Sequence, residues 1–260
     1  MAAIRSSLLA ALLALAGCGA PAANEGGAPA AMAAACEQRM FEGSAFTACR
    51  YDRRRDEIVL VLDGPNGPLR SLAALETKLG PRARHLRFAM NAGMYGEDGR
   101  PIGLYVEDGR ERRRINRSTG GGGNFHMRPN GAFTVAADGR LAIVTSDRYD
   151  SASRPRWATQ SGPLLVIDGR LHPMIQDNGP SLHVRNGVGV ESPDAAWFVI
   201  SDNAVSFGRL ARFFRDVLGC RNALYFDGSV SSLWDRPAGR RDAYSQLGPL
   251  VAVFEREGRQ

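Results

Sequence analysis

Lysine is almost missing from this chain of 260 residues: among 33 lysines and arginines, Lys78 is the only lysine. The net charge of +6 therefore rests on scattered arginines. No basic run lies beside stacked aromatics, which excludes the usual footprint of a nucleic-acid binder. Scattered arginines read instead as a solvated surface, with a few kept for bidentate recognition of anions. Histidine is also scarce: His85, His126, His172 and His183 stand far apart. There is no His-Glu-x-x-His and no paired-cysteine spacing, so the sequence calls for no metal site and no cofactor. No Gly-x-Ser-x-Gly elbow is present, and a serine hydrolase would have to recruit Ser161 and a distant histidine. Long apolar runs are missing too. The N-terminal stretch Leu8 to Ala16 is too short to cross a bilayer as a permanent helix.

That stretch follows Arg5 and ends in Leu15-Ala16-Gly17-Cys18, a pattern similar to a bacterial lipobox. Residues 1–17 are expected to be a lipoprotein signal peptide, cut before a lipid-bearing Cys18. The alternative is an ordinary secretory signal cut near Ala33-Ala34-Ala35. Gly19, rather than Asp, follows Cys18, which points to the outer membrane and the periplasmic side of a bacterial envelope. Residues 18–35 are rich in Ala, Gly and Pro and read as a flexible tether. Export implies an oxidising compartment, so Cys36 and Cys49 are expected to form a disulfide. Cys220 reads as a buried structural thiol.

The folded part, residues 36–260, shows strand and turn chemistry. Ala45–Tyr51, Glu57–Asp63 and Leu86–Met90 read as strands, and Leu69–Leu79 as a helix ended by Gly80-Pro81. Asp-Gly pairs recur at 98, 108, 138 and 168, and the last three lie between apolar segments, as in antiparallel hairpins. A helix is expected from Ser206 to Leu218, with Arg209, Arg212 and Arg215 on a solvated face. Strands are expected at Ala195–Ser201 and Pro249–Glu255, with a further extended segment over Ser181–Val190. The sum is one α+β domain, rich in antiparallel or mixed sheet with a few packed helices.

Four polar stops follow apolar or glycine-rich segments: Asn91-Ala92-Gly93, Thr159-Gln160-Ser161-Gly162-Pro163, Arg185-Asn186-Gly187-Val188-Gly189 and Asp227-Gly228-Ser229. Each sets polar side chains beside glycines, where a ligand can approach the backbone. An amide, hydroxyls, a guanidinium and a carboxylate suit an anionic, hydroxyl-rich ligand. The plain alternative for Asp227-Gly228 is a tight turn. The run Gly120–Gly123 reads as a loop, a phosphate cradle or a flap. It lacks the Gly-Lys-Ser/Thr ending of a nucleotide loop, and His126 beside it is a candidate for substrate contact.

Met90-Asn91-Ala92-Gly93-Met94-Tyr95, Gln160-Ser161-Gly162-Pro163-Leu164-Leu165-Val166, Arg185-Asn186-Gly187-Val188-Gly189-Val190 and Asp227-Gly228-Ser229-Val230-Ser231-Ser232-Leu233 occur in the order of the phosphodiester glycosidase family, which the chain resembles from about Phe88 to Leu233. The resemblance implies an α+β catalytic domain that splits the bond between a sugar and a phosphodiester, with free sugar and a phosphomonoester as products. It implies that Asp227 stabilises the sugar cation or activates water, that Arg185 holds the phosphate, and that Asn91 and Ser161 orient the substrate. Ser231 or Ser232 would bind near the phosphate, with Thr159, Gly162 and Gly228 lining the site. Asp202 and Glu191 are both candidates for a second carboxylate. Many members carry Asp-Gly-Gly-Gly-Ser-Ser where this chain has Asp227-Gly228-Ser229-Val230-Ser231-Ser232, and the pattern with Met94-Tyr95 and Ser232-Leu233-Trp234 is closer to a bacterial exported branch. The rival class is an envelope lipoprotein that binds cell-wall or exopolysaccharide glycans without cleaving them.

Overall fold

The computed structural model describes residues 34–256. The expected signal peptide, most of the tether and Cys18 lie outside the described residues. Ala35 is already buried in the fold, and its carbonyl accepts the Arg50 N–H at 2.8 Å.

Three antiparallel sheets make up the body. The largest runs in the order Cys36–Phe41, Ser44–Asp52, Ala195–Ser201, Asn186–Ser192, Asn222–Tyr225, Leu164–Ile167 and Arg170–Leu171. A second holds Leu141–Thr145, Gly131–Val135, Trp157–Ser161, Tyr105–Glu107 and Arg110–Arg113. The third holds Arg240–Arg241, Leu233–Asp235, Leu86–Asn91, Leu250–Glu255 and Asp56–Val61. Every strand pair in them is antiparallel. The α+β reading therefore holds, with antiparallel pairing throughout the described residues. Ala195–Ser201 and Leu86–Asn91 are buried along their whole length, which is why they read as continuous runs rather than alternating ones.

The Asp-Gly hairpins form as expected. Asp108 and Gly109 have φ of 49° and 76°, and Asp168 and Gly169 have 49° and 82°, the left-handed pair that a two-residue hairpin needs. Several boundaries differ from the sequence expectation. The first helix is Leu72–Leu79, because the Ser71 side chain accepts the Ala74 N–H and caps it there. Gly80-Pro81 ends the α-helix, yet the chain continues as a 3₁₀ segment, Gly80–His85, since proline is tolerated in a first turn. Ser181–Val184 is not strand, and that strand starts only at Asn186.

The second helix is α from Phe207 to Arg212 and then widens to a π turn, Phe213–Val217. It packs Phe213 and Phe214 on the large sheet together with Phe46, Val199 and Tyr225. Its arginines are not simply a solvated face. Arg212 grips Glu42 through Nε at 2.8 Å and Nη2 at 2.6 Å, and Arg209 donates to the Ser44 hydroxyl at 2.8 Å. These bonds tie the helix to the first hairpin turn. The glycines of the Arg185 motif serve this packing. A Cβ on Gly189 would lie 2.5 Å from the Phe214 ring and 2.6 Å from the Cys220 sulfur. They admit core side chains, not a ligand. Burial holds the Cys220 thiol up at a pKa of about 12, so it is inert.

Cys36 and Cys49 are disulfide-bonded across a register pair of the first hairpin. The bridge closes a loop with a sequence separation of 13. Chain-entropy arguments assign such a loop about 3 kcal/mol. A Cys36→Ser, Cys49→Ser double variant is therefore expected to melt roughly 6–12 °C below the parent. The parent should drop by the same amount in reductant. Identical melting curves would show that the bridge carries no stability.

Candidate functional site

Three of the four polar stops meet at one side chain, Asn91, and the fourth, Thr159–Pro163, packs beside it. It ends the buried strand Leu86–Asn91, whose neighbour Leu233–Asp235 follows the Asp227 loop. The Asn91 amide donates from Nδ2 to the Asp227 carbonyl at 2.8 Å. Its Oδ1 accepts the Ser232 N–H at 2.9 Å and the Asn186 Nδ2 at 2.9 Å. Residues 227 and 232, the two ends of the loop, are thus pinned by a single amide. Asn186 Nδ2 also reaches the Asn91 carbonyl at 3.0 Å, and its Oδ1 faces the Ser231 hydroxyl at 3.3 Å. The single Ser231 O–H has the Val184 carbonyl nearest at 3.1 Å, with the Gly228 carbonyl and Asn186 Oδ1 as alternative acceptors at 3.3 Å, and Ser232 donates to the Val230 carbonyl. Asn91, Ser231 and Ser232 therefore shape the loop from beneath.

The Thr159–Pro163 segment abuts both sides of this clamp. The Gly93 N–H donates to Thr159 Oγ1 at 3.2 Å, and the Tyr225 N–H to the Pro163 carbonyl at 3.1 Å. The Asp227 N–H reaches the Ala92 carbonyl at 3.3 Å. Ser161 is fully buried, and its hydroxyl has no hydrogen-bond partner. Gln160 is spent on the scaffold. Its Oε1 accepts the N–H groups of Leu104 and Asn116, and its Nε2 donates to the Asn116 carbonyl and the Ser146 hydroxyl.

Arg185 is 1 % exposed, and every acceptor it reaches is neutral. Nε donates to the Val205 carbonyl at 2.9 Å, Nη1 to the Tyr225 hydroxyl at 3.2 Å, and Nη2 to the Ser181 carbonyl and hydroxyl at 2.9 and 3.1 Å. The guanidinium lies over the Phe207 ring, 3.6 Å from its centroid. Among the described residues no carboxylate pairs with this cation, and burial lowers its pKa from the usual arginine range.

Asp227 is its counterpart. It is half-buried, forms no ion pair among the described residues, and accepts the Ser229 N–H at 3.2 Å. Burial pushes its pKa above the usual carboxylate range, and the bonds to Ser229 only partly oppose this. The Asp227 charge in turn helps burial to raise the pKa of Tyr95 and Tyr225. The Tyr225 hydroxyl thus accepts from the buried cation, and the field of Asp227 also reaches it.

Asp227-Gly228 is not a hairpin turn. Asp227 has φ −94° and caps a short 3₁₀ segment, Gly228–Val230. Gly228 is glycine for another reason: a Cβ there would sit 1.9 Å from the Tyr225 hydroxyl oxygen.

Beyond the loop, a cavity of ≈ 480 Å³ is lined by Gly228–Ser231, His183, Ser201, Asp202, Arg240, Asp242 and Tyr244 among others. Of the two candidates for a second carboxylate, Asp202 faces this cavity. Glu191 lies toward the opposite end of the strand Asn186–Ser192, held by Arg50 and by the Trp197 indole N–H at 3.0 Å.

The structure thus gathers Asn91, Thr159, Ser161, Gly162, Arg185, Asp227, Gly228, Ser231 and Ser232. His126 stands next to them in the turn Asn124–His126. The Phe125 carbonyl of that turn lies 2.9 Å from where a Gly162 Cβ would be. Gly121 of the glycine run rests on the His126 ring, and the His126 Nδ1 is buried without a partner. The disulfide lies in the first hairpin. Asn186 and Tyr225 escaped the sequence reading as site residues. Asn186 stood inside a quoted motif, whereas Tyr225 reads as core in an apolar strand.

A family model described as phosphodiester glycosidase matches residues 84–245. Over 149 residues the chain is 37% identical to the protein YigE of Escherichia coli (strain K12), over 57% of this chain and 58% of that relative. The chain therefore spans little more than half the length of this curated relative. In fold it is similar to the catalytic domain of zebrafish N-acetylglucosamine-1-phosphodiester alpha-N-acetylglucosaminidase, auto-inhibited by its pro-peptide. The TM-score is 0.56 at 15% identity, covering 85% of this chain and 82% of that one. It is also similar to a hypothetical protein from Synechocystis, with a TM-score of 0.51 at 14% identity, covering 85% and 61%.

Proposed function

Because this chain belongs to the phosphodiester glycosidase family, we propose that its Asp227 site hydrolyses the glycosidic bond of a sugar-1-phosphodiester. One observation carries this reading: among the described residues a buried guanidinium has no anion and a half-buried carboxylate has no cation, and the Tyr225 hydroxyl that the guanidinium binds packs on Gly228, the residue after that carboxylate. Two charges of opposite sign left unpaired in a largely buried site are costly unless a ligand needs both. A sugar phosphodiester does. Cleavage builds positive charge on the sugar ring and negative charge on the departing phosphate oxygen.

In this reading Asp227 faces the anomeric carbon as a carboxylate, stabilises the forming cation and accepts the proton of the attacking water. The C–O bond to the phosphate breaks as the bond to water forms, leaving free sugar and a phosphomonoester. Arg185 acts on the phosphate mostly through its field, because its Nε and Nη2 donors and one Nη1 donor are already committed. Ser161, with a free hydroxyl, and His126 with its unpartnered Nδ1 orient the sugar. Residues 1–17, 18–35 and 36–260 form the signal peptide, tether and catalytic domain of an envelope lipoprotein anchored through Cys18. No helix among the described residues is long and apolar enough to cross a membrane.

The test is a panel of sugar-1-phosphodiesters incubated with the full chain, followed for reducing sugar and for phosphomonoester. Release of both in equal amounts from at least one member is the expected result. Tight binding with no release over long incubation would replace the hydrolase by a glycan-binding lipoprotein.

A further inference from the structure

The second sheet ends in an edge strand, Arg110–Arg113, that is exposed along its whole length, and Arg114 and Arg117 follow it closely. Charged side chains on an edge strand blunt it against pairing with other chains. That purpose covers Arg110 and Arg112, and Arg112 is spent on Asp63 at 2.7 Å and Glu107 at 3.0 Å. It does not cover the groove beyond. This groove, of ≈ 280 Å³, is lined by Ile102, Arg113, Arg114, Ile115, Asn116 and Arg117, with three guanidinium groups and no carboxylate. Arg113 forms no ion pair among the described residues. Arg114 stands 3.8 Å from Glu111, and its side chain is 93 % exposed. Arg117 donates only to carbonyls, from Nε to Ser146 at 3.0 Å and from Nη2 to Tyr149 at 2.7 Å. Even with Glu111 set against Arg114, two cations of this groove face no acid. Elsewhere the chain supplies acids freely: Arg53, Arg156 and Arg240 each hold a carboxylate.

The walls of the groove are joined to the candidate site. Asn116 is clamped to Gln160, the neighbour of Ser161, by its N–H at 2.8 Å and its carbonyl at 2.7 Å. The Ile102 N–H donates to the Met94 carbonyl at 3.2 Å, just past Asn91-Ala92-Gly93. Arg113 lies opposite Tyr105, and Tyr105 opposite Thr159. Two strand spacings, about 10 Å, therefore separate the backbone of Arg113 from that of Thr159. A guanidinium fork matches the two free oxygens of a phosphodiester. Repulsion among neighbouring guanidinium groups is relieved best by an anion that carries several charges. The half-buried Ile102 and Ile115 add apolar surface for the carbon skeleton between such charges.

We propose that this arginine groove is an exosite for a polyanionic chain, a polymer of sugar or polyol units joined by phosphodiesters, which it holds at a phosphate other than the one at Asp227. That the polymer is a substrate rests on the hydrolase reading above; the demand for a repeated anion rests on the groove itself. The experiment is therefore equilibrium binding, not turnover. Fluorescence anisotropy on the full chain would compare a labelled hexamer of glycerol phosphate with its dimer and with a hexamer of galacturonic acid. In about 50 mM salt the glycerol phosphate hexamer is expected to bind roughly tenfold more tightly than the dimer, and to weaken at least several-fold in about 200 mM salt. The galacturonate hexamer should bind more weakly than the glycerol phosphate hexamer. Arg113→Gln combined with Arg114→Gln should weaken the hexamer roughly tenfold. Arg170→Gln with Arg221→Gln removes the same charge from two exposed side chains at the Asp168-Gly169 hairpin, and should leave the affinity unchanged. Unchanged affinity in the first variant, an equal loss in the second, or galacturonate binding as tight as that of the glycerol phosphate hexamer would each overturn the proposal. Capture by phosphatidylglycerol vesicles without binding of the hexamer would overturn it too, by making the partner a membrane surface. A chain that binds the hexamer in this way but hydrolyses no sugar-1-phosphodiester would remove the hydrolase reading and leave the exosite. A chain that hydrolyses but fails these binding tests would do the reverse.

Discussion

Asp227→Asn is expected to lower the hydrolysis rate of a sugar-1-phosphodiester by ~10² or more and, at pH 7, to raise the melting temperature. The two effects share one cause. Burial lifts the folded-state pKa of Asp227 above its unfolded value. Between those two values the folded chain binds the proton that the unfolded chain has lost, so stability falls as pH rises through that window. The deficit is complete above the folded pKa and persists at neutral pH. Asparagine carries no charge, yet its amide oxygen still accepts the Ser229 N–H that Asp227 Oδ1 accepts now. Melting curves at pH 4 and pH 7 should show the variant gaining on the parent as pH rises. A near-parental rate would end the catalytic assignment, and a variant less stable at pH 7 would show that the acid is not held at a cost.

The second large effect belongs to Asn91→Leu, which keeps the branching and the number of side-chain heavy atoms and removes the amide. It leaves the Ser232 N–H without its Asn91 acceptor, and the Asp227 carbonyl without the Asn91 amide. Asn186 Nδ2 keeps only the Asn91 carbonyl. Leaving buried polar groups unpaired costs about 1–3 kcal/mol each, so a loss of about 3 kcal/mol is expected. For a domain of this size that is roughly 6–12 °C in melting temperature. Activity should fall further than stability alone accounts for, because both ends of the catalytic loop are released together. Denaturant unfolding and initial rates measured well below the melting point separate the two losses. A variant within 1 kcal/mol of the parent, by the same scale, would mean that the clamp is not what holds the loop.

The large elements were legible because their signals are local. Two Asp-Gly hairpins, the capped helix at Ser71 and the buried strand Ala195–Ser201 each announce themselves within a few residues. The edge strand Cys36–Phe41 does not, since it is polar and half-exposed and forms only by pairing with Ser44–Asp52. The π turn at Phe213–Val217 keeps the apolar spacing of an α-helix and cannot be told from one by pattern. The site was legible as four polar stops in order, and the structure brings them together. What each residue does there was not legible. Asn91 was read as a substrate contact but spends its side chain on the loop, a role set by register between segments 95 and 141 residues apart. The glycines at 187 and 189 looked open to a ligand and instead admit Phe214 and Cys220.

The strand Leu250–Glu255 lies inside the third sheet, between its central strand Leu86–Asn91 and its edge strand Asp56–Val61. A nascent chain leaving the ribosome therefore carries Asn91, Ser161, Arg185 and Asp227 long before the sheet that holds Asn91 can close. Its first and central strands wait for the last one to be synthesised, and such non-local pairing is slow. A chain that stops short of Leu250 leaves Leu86–Asn91 without one of its two neighbours, and Asn91 without its register partner Leu250.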